Sequence, residues 1–174
     1  MFPGHLEITD FGGATGELGV ALGQIRPNIT YTVVENPTLV SLTAPRDPVR
    51  FTSALPGTCD IFYSSGTLQY LPDPYNVFET GAKSAKLALA LSRNCFCDRD
   101  IFTVQTSPLY DNGGGPLPDL PDSLISWPHR TISEAKILAI AASHGFRLVS
   151  RLSGANGVPY GYEGYDVNLV FLKV

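Results

Sequence analysis

The chain has 174 residues, of which 44% are apolar and 16% are charged, so it is long enough to bury one hydrophobic core and too apolar to be disordered. Its formal net charge of -4 argues against a protein that binds nucleic acid by neutralising phosphates. No stretch approaches the roughly 20 consecutive apolar residues of a membrane span, and the first ten residues lack the features of a secretion signal. We therefore expect a single cytoplasmic domain, residues 1–174, with no nucleic-acid partner and no membrane partner.

The first part of the chain predicts a strand, a helix and a second strand. Residues 6–10 have the pattern of a short strand, and the glycine-rich turn FGGATG follows them. The predicted helix has an apolar face formed by Leu18, Ala21, Leu22 and Ile25. Residues 29–35 then return as a strand of β-branched and aromatic residues.

The middle of the chain predicts three more strands and one helix. A short linking stretch, residues 36–48, leads to a third strand at residues 49–54, and residues 59–64 form a fourth. A helix with proline in its first turn is predicted within residues 73–85. Residues 86–92 are then a fifth strand.

Residues 93–130 are rich in proline, glycine and aspartate, and they are too numerous for an ordinary connection in a compact domain. We interpret them as a long loop. This loop is either a lid over a site or an excursion without a role.

The last part of the chain predicts a helix followed by two strands. Thr131 and Glu134 have the spacing of a capping box, and Gly145 stands where the helix would stop. Residues 146–152 and 165–174 finish the chain as strands. The alternation of elements predicts an α/β fold with a mainly parallel seven-strand sheet and an antiparallel pair at its edge.

The sequence DFGGATG, residues 10–16, predicts where a ligand binds, because ligands of open α/β sheets lie at the carboxyl ends of the strands. Gly12 and Gly16 allow a ligand to approach the backbone, and the helix terminus offers free N–H donors. The carboxylate of Asp10 would repel a pyrophosphate but could accept hydrogen bonds from a cationic amino-acid group. Glu35, at the end of the second strand, could accept both hydroxyls of a ribose.

These residues resemble those of the class I S-adenosylmethionine-dependent methyltransferases, whose first motif reads acid-x-Gly-x-Gly-x-Gly and whose second strand ends in an acid. Ala14 stands where the middle glycine of that motif would be. The runs DFGGATGELG, VVENP, DIFYSSGTLQYLPDPYNVF and SWPHRTISEAKILAIAASHGFRLV are similar to a bacterial methyltransferase family associated with polysaccharide biosynthesis. This resemblance covers nearly the whole chain.

The resemblance implies a Rossmann-like three-layer sandwich with an antiparallel last strand, and S-adenosyl-L-methionine as the cofactor. Around the methionine part of the cofactor it implies Asp10, Gly12, Gly13 and Gly16. It implies Glu35 at the ribose, Ser53 and Ala54 at the adenine, and Ser64, Ser65 and Gly66 beneath the cofactor. Because Ser53 stands where these enzymes often have an acid, adenine recognition would rely on the backbone.

Two residues are candidates for methyl transfer itself. His129 is the candidate base, since an unperturbed imidazole has a pKa near neutrality, and Tyr70 follows the fourth strand where cofactor and acceptor should meet. The alternatives are that His129 is an exposed or structural residue and that Tyr70 only packs on the next helix. No metal site is expected, because Cys59, Cys95 and Cys97 have neither CxxC spacing nor a histidine cluster.

The predicted function is methyl transfer to a small-molecule acceptor, for which the resemblance suggests a sugar or a polysaccharide precursor. The alternative is a catalytically inactive methyltransferase-like domain with a binding or regulatory role, because fold alone does not establish chemistry. A nicotinamide-dependent oxidoreductase is disfavoured because the turn lacks GxGxxG, and an α/β-hydrolase because FYSSG lacks the first glycine of GxSxG. The sheet edge and the long loop could serve a homodimer.

Overall fold

The computed structural model describes residues 4–112, 119, 121–153 and 164–174. The strands in this part of the chain are β1 (Leu6–Phe11), β2 (Ile29–Val34), β3 (Val49–Thr52), β4 (Cys59–Ser65), β5 (Ala85–Cys97), β6 (Ile101–Pro108), β7 (Leu124–Ser133), β8 (Phe146–Ser153) and β9 (Tyr165–Lys173). The helices are α1 (Glu17–Ile25), α2 (Pro37–Leu42), α3 (Pro74–Ser84) and α4 (Glu134–Ser143). Single 3₁₀ turns lie at Leu68–Tyr70 and Leu109–Asn112.

The first five strands form a parallel sheet in the order β3-β2-β1-β4-β5. On the other side of β5, the last strand β9 pairs antiparallel, and β8 pairs antiparallel with β9 at the edge. The predicted α/β sheet with its antiparallel last strand is therefore confirmed, and all seven predicted strands form. The strand order reverses at β1, so the carboxyl ends of β1, β2 and β4 surround the crevice where a ligand is expected.

The segment 93–130 is not one irregular loop. Strand β5 continues through Cys97, and β6 and β7 form an antiparallel hairpin with Ile101 opposite Thr131 and Pro108 opposite Leu124. The interpretation as a loop was wrong for these residues because the proline and glycine content outweighed the β-branched and aromatic residues of IFTVQT and LISW. The most glycine-rich part of the segment, residues 113–118, lies outside the described residues.

The hairpin lies beyond the carboxyl end of β4. Strand β4 pairs with β5 as far as Ser92, and β7 then pairs with Phe96 and Cys97 of the same strand. Phe96 also pairs with Tyr165 of β9 on its other side. Strand β7 therefore pairs with the same edge of β5 as β4 does, but further along the chain. The hairpin thus stands next to the ligand-binding edge of the sheet.

Two hydrophobic cores cover the opposite faces of the sheet. One contains Phe62, Leu89 and Phe171 of the sheet with Phe78 of α3 and Ile137 of α4. The other contains sheet residues such as Tyr31 and Val33 and lies under α1. These two cores give the predicted three-layer arrangement. Three buried, free thiols belong to the described residues, namely Cys59, Cys95 and Cys97.

Helix α1 packs through glycines and through Leu22, one of the four residues of its predicted apolar face. Leu18 is 42% exposed and Ile25 is 81% exposed, whereas Gly19 is buried. A Cβ at Gly19 would lie 2.4 Å from the ring of Tyr31, and one at Gly16 would lie 2.7 Å from Val49. The prediction of the face was right for Leu22 and wrong for Leu18 and Ile25, because a spacing rule based on large apolar side chains misses a helix that approaches the sheet through small residues.

Helices α3 and α4 begin at side-chain caps. Asp73 accepts a hydrogen bond from the N–H of Asn76 at 3.1 Å, with Pro74 as the first helical residue. Helix α4 is capped by Ser133, which accepts from the N–H of Lys136 at 3.4 Å. Thr131 is therefore not the cap that the sequence predicts, because β7 continues through it to Ser133. None of the helices in the described ranges is long and apolar enough to cross a membrane.

Replacement of Gly81 by alanine tests the contact between α3 and the sheet. A Cβ at Gly81 would lie 2.6 Å from the ring of Phe62, which is fully buried and cannot move away. We expect Gly81→Ala to lower the free energy of unfolding by about 1–3 kcal/mol in chemical denaturation, although alanine is the better helix former. Asn76→Ala, at an exposed position of the same helix, should change it by less than about 0.5 kcal/mol. Equal stability of Gly81→Ala and the wild-type chain would contradict the close packing.

Candidate functional site

The glycine turn leaves β1 and enters α1 with three residues in the left-handed region. Gly12 and Gly16 each have a φ of 75°, and Ala14 has a φ of 49°. At Gly12 a Cβ would lie 2.1 Å from Oγ1 of Thr67, so both its conformation and its surroundings require glycine. Ala14, which departs from the glycine of the resembled motif, still takes a left-handed conformation. The substitution therefore leaves the left-handed path of the turn in place.

Asp10 lies beneath this turn. Its side chain is 3% exposed, Oδ2 accepts a 2.6 Å hydrogen bond from the hydroxyl of Tyr31, and Oδ1 is buried with no partner within the described residues. A Cβ at Gly13 would lie 2.3 Å from Oδ2, so the turn closes directly over the carboxylate. The pKa of Asp10 is raised to about 6, mainly by burial and to a smaller extent by the charge of Glu35, against the opposing effect of the hydrogen bond from Tyr31.

Tyr31 is fully buried and belongs to β2. It precedes Val33, the residue that pairs with Asp10, by two positions and therefore points to the same face of the sheet. Burial raises the pKa of its phenol well above the ordinary value, and the carboxylate of Asp10 raises it further. The hydroxyl of Tyr31 therefore remains protonated and acts as the donor to Asp10.

Glu35 follows β2 and joins the turn to the start of α2. Its Oε1 accepts from the N–H of Ala14 at 3.2 Å, and its Oε2 accepts from the N–H and the side-chain amide of Asn36 at 2.9 Å and 3.2 Å. Each carboxylate oxygen has further acceptor capacity. In the predicted role, Glu35 would therefore accept the ribose hydroxyls with the same two oxygens that already accept hydrogen bonds from Ala14 and Asn36.

The other predicted cofactor residues lie along the same edge of the sheet. Ser53 and Ala54 are exposed and directly follow β3, where Glu35 donates its N–H to the carbonyl of Thr52 at 3.0 Å. Ser64 and Ser65 end β4, Gly66 follows directly, and all three are bonded to the neighbouring strands. Ser64 Oγ donates to the carbonyl of Phe11, Ser65 Oγ accepts from Ser92 Oγ, and Gly66 N donates to the carbonyl of Ser92.

The two catalytic candidates lie side by side. Tyr70 is in the 3₁₀ turn after β4, His129 is in β7, and their ring centroids are 5.6 Å apart in an edge-to-face arrangement. Tyr70 is 43% exposed, so it does not simply pack on the next helix, whereas its neighbour Leu68 is fully buried. His129 is 5% exposed, and its burial lowers its pKa. Gln69, by contrast, is held in the core, where its Oε1 accepts from the N–H of Cys95 at 2.7 Å.

Comparisons with known proteins identify the fold. No protein-family model matches the chain, and a search of curated proteins finds no match either. Among solved structures, the chain is similar to the glycopeptide N-methyltransferase MtfA complexed with S-adenosyl-L-methionine, with a TM-score of 0.63, 12% identity and coverage of 99% of this chain and 82% of that chain. It is also similar to CalS10 of Micromonospora echinaspora, described as an amino pentose methyltransferase, with a TM-score of 0.64, 14% identity and coverage of 99% and 85%.

A third similar structure is the N-terminal domain of EvdMO1 with SAH bound, with a TM-score of 0.62, 17% identity and coverage of 99% of this chain and 76% of that chain. The chain has the fold of the class I S-adenosylmethionine-dependent methyltransferases. At this level of identity the comparison establishes the architecture, and the residues of the site carry the functional argument.

Several residues of this methyltransferase fold escaped the sequence analysis. Tyr31 was assigned only as a strand residue, although its place in a buried strand beside β1 put it within reach of Asp10. Thr67 Oγ1 donates to the carbonyl of Gly12 at 3.3 Å. Arg46 contacts both the carbonyl of Thr15, at 2.6 Å, and the carboxylate of Glu17, at 2.7 Å. No local pattern signals these contacts, because they join segments that are tens of residues apart.

Replacement of Asp10 by asparagine tests the buried charge. The pKa of Asp10 is raised from 3.8 to about 6 in the folded protein, so the folded protein binds this proton more tightly than the unfolded chain does. The wild-type chain should therefore lose up to about 3 kcal/mol of stability relative to Asp10→Asn as the pH rises from about 4 to about 7. Denaturant titrations of both proteins across this range measure the difference.

The matched control is Asp73→Asn, which also removes one carboxylate and keeps an acceptor for the N–H of Asn76. Its stability should follow that of the wild-type chain through the same pH range. Parallel pH dependence of the wild-type chain and Asp10→Asn would show that the carboxylate of Asp10 is not buried as described.

Proposed function

We propose that the chain is an S-adenosylmethionine-dependent methyltransferase that acts on a small-molecule acceptor, with sugars or polysaccharide precursors as the acceptor class. The observation that carries the proposal is the group formed by Asp10, the glycine turn and Glu35 at the carboxyl edge of the parallel strands. This edge is where sheets of this kind bind their ligands.

The residues of this group fit the cofactor. Asp10 Oδ1 is a buried acceptor without a partner within the described residues, and a cationic ammonium group is the kind of ligand that offsets such a charge. The turn over it has room only for glycine, because a Cβ at Gly13 would lie 2.3 Å from Oδ2 of Asp10 and one at Gly12 would lie 2.1 Å from Oγ1 of Thr67. In the proposed complex Asp10, Gly12, Gly13 and Gly16 surround the methionine part, Glu35 the ribose, Ser53 and Ala54 the adenine, and Ser64, Ser65 and Gly66 lie beneath.

When bound, S-adenosyl-L-methionine supplies an activated methyl group that the acceptor atom takes in exchange for its proton, with S-adenosyl-L-homocysteine as the second product. The chain's own residues have to orient the acceptor and remove that proton. His129 is suited to this task because burial lowers its pKa and keeps the imidazole neutral near pH 7. Tyr70, half-exposed beside it, provides a surface against which the acceptor is oriented.

The comparisons support the choice of acceptor class. Two of the similar structures are a glycopeptide N-methyltransferase and an amino pentose methyltransferase, and a third was crystallised in the presence of SAH and D-fucose. We extend the proposal to a cytoplasmic location, which the buried and free thiols of three cysteines support because disulfides are rare there.

Calorimetric titration with S-adenosyl-L-methionine and S-adenosyl-L-homocysteine tests the proposed cofactor, with NAD as a control ligand. We expect micromolar binding of the first two alone. Asp10→Ala and Glu35→Ala should each weaken binding by roughly 10- to 100-fold, the loss expected for a charge-assisted hydrogen bond of about 1.5–3 kcal/mol.

Glu7→Ala is the matched control, because Glu7 is exposed on β1 at the end opposite to Asp10. Its cofactor affinity should equal that of the wild-type chain. Unchanged affinity in both site variants would refute the site. Tight binding with no methyl transfer to any sugar acceptor would favour the alternative function, an inactive methyltransferase-like binding domain.

The pH dependence of His129 tests the proposed base. Because burial lowers its pKa, His129 should titrate below the ordinary value of 6.5 in an NMR titration, where His129→Asn identifies its signal among three histidines. The value of kcat/KM should fall as the pH drops through this pKa, and His129→Asn should lower kcat by roughly 10²- to 10⁴-fold and remove this acid limb.

His5→Asn is the control for this experiment, since His5 is exposed and bonded to Asn28 and Thr30 far from the hairpin. It should retain the wild-type pH profile. If His129→Asn also retains the acid limb, His129 is not the base.

A further inference from the structure

A groove runs between β7 and the segment that follows β4. One part has a volume of about 240 Å³ and is lined by Tyr70, Pro128, His129 and Arg130, among others. A second part, with a volume of about 480 Å³, is lined by Tyr70, Ile125, Trp127 and Pro128. Tyr70 and Pro128 line both parts. Because side chains alternate along a strand, Arg130 borders the first part and Trp127, on the opposite face of β7, borders the second.

The groove begins at the edge of the proposed cofactor site. Thr67 bonds to the carbonyl of Gly12 in the glycine turn, and Tyr70 follows Thr67 by three residues. On the opposite side stands His129, whose ring contacts Tyr70. A molecule in this groove would therefore lie between the cofactor site and the hairpin.

The walls of the groove are flat and fixed. In the first part, Tyr70 is held edge-to-face against His129, and Pro128 and Phe102 add apolar surface. In the second part, the indole N–H of Trp127 donates to Oε1 of Gln105 at 3.0 Å, which fixes the plane of the ring. Rigid aromatic surfaces of this kind suit ligands with a flat apolar face, such as an aromatic ring or the C–H face of a sugar ring.

Arg130 brings a positive charge to the same groove. Within the described part of the chain it forms no ion pair, its guanidinium lies 4.2 Å from the ring centroid of Phe102, and its Nε is buried without a hydrogen-bond partner. Asp100 does not neutralise it, because that carboxylate is bonded to Lys136 at 2.6 Å and to the hydroxyl of Tyr75. A half-buried guanidinium with open donors is a binding group for phosphates and carboxylates.

We propose that the first part of this groove binds the methyl acceptor and that the acceptor is a ring carrying an anionic group, which Arg130 binds while Tyr70 contacts the ring. This inference rests on the proposed methyltransferase function and specifies its substrate. A phosphate or a carboxylate would supply the same charge, so the test includes both.

Fluorescence reports binding in the groove, because Trp127 is the single tryptophan of the chain and directly precedes Pro128, which lines both parts. The full chain, saturated with S-adenosyl-L-homocysteine, is titrated with UDP-glucose, glucose 1-phosphate and 4-hydroxybenzoate. Glucose and 4-hydroxybenzyl alcohol serve as uncharged counterparts. We expect at least one charged probe to change the emission of Trp127 with a Kd at least tenfold lower than its uncharged counterpart, and the probe that does so distinguishes phosphate from carboxylate.

Substitutions of Arg130 test whether its charge causes the tighter binding of the charged probes. Arg130→Gln should abolish the difference between charged and uncharged probes, whereas Arg130→Lys should retain part of it. Arg147→Gln, at an exposed position of the edge strand β8, is the matched control and should retain all of it. Unchanged affinity of each variant for S-adenosyl-L-homocysteine shows that the variant is folded.

Two results would overturn the inference. One is equal affinity for charged and uncharged probes, or no emission change with any of them, in a wild-type chain that binds S-adenosyl-L-homocysteine; the methyltransferase proposal would then stand without this acceptor. The other is a charge preference that survives in Arg130→Gln. Failure of the wild-type chain to bind S-adenosyl-L-homocysteine would instead refute the proposed function itself, and the acceptor inference with it.

Discussion

Beneath the glycine turn, the hydroxyl of Tyr31 donates a 2.6 Å hydrogen bond to the carboxylate of Asp10, which has almost no contact with water. Burial raises the pKa of this acid to about 6, so near neutral pH the site holds a negative charge whose lost hydration one hydrogen bond does not fully replace. The packing of the fold maintains this unfavourable charge. A cationic ligand above the turn would offset this negative charge. The free energy that burial of the charge costs the free protein would then be recovered on binding, which raises the affinity.

The same tyrosine links the charge to the packing of α1. Gly19 lets the helix approach so closely that a Cβ there would lie 2.4 Å from the ring of Tyr31, whose hydroxyl supports Asp10. Gly16, with its φ of 75°, begins the helix in contact with Val49 and Val33. The position of α1, the path of the turn and the electrostatics of the site therefore depend on one set of contacts. A larger side chain on this face would displace the turn together with the helix.

The sequence alone was sufficient for the parallel sheet, its antiparallel end and the placement of the glycine turn, because these follow from local patterns: strand composition, helix spacing and glycines between them. It was not sufficient for the hairpin in 93–130, where strands pair with each other and with β5 across a segment rich in turn residues. Nor could it identify Tyr31 or Arg46 as site residues, since each acts through a contact with a segment distant in sequence. Thr131 was mistaken for the cap of α4 because Ser133, two residues later, offers an equivalent hydroxyl.

Under the proposed function, the cofactor and the acceptor contact different parts of the structure. Of the proposed cofactor residues, the glycines of the turn contact the side chains around them so closely that substitutions there disturb the packing. The hairpin instead joins the sheet through only two residue pairs of β5 and β7, and its base is held by Ser133, whose N–H donates to the hydroxyl of Tyr75 and to Asp100. Beyond this base, side chains such as Trp127 can change without altering the sheet. In this architecture the residues that distinguish one acceptor from another are expected on the hairpin, and the charge of Arg130 is the specific feature there.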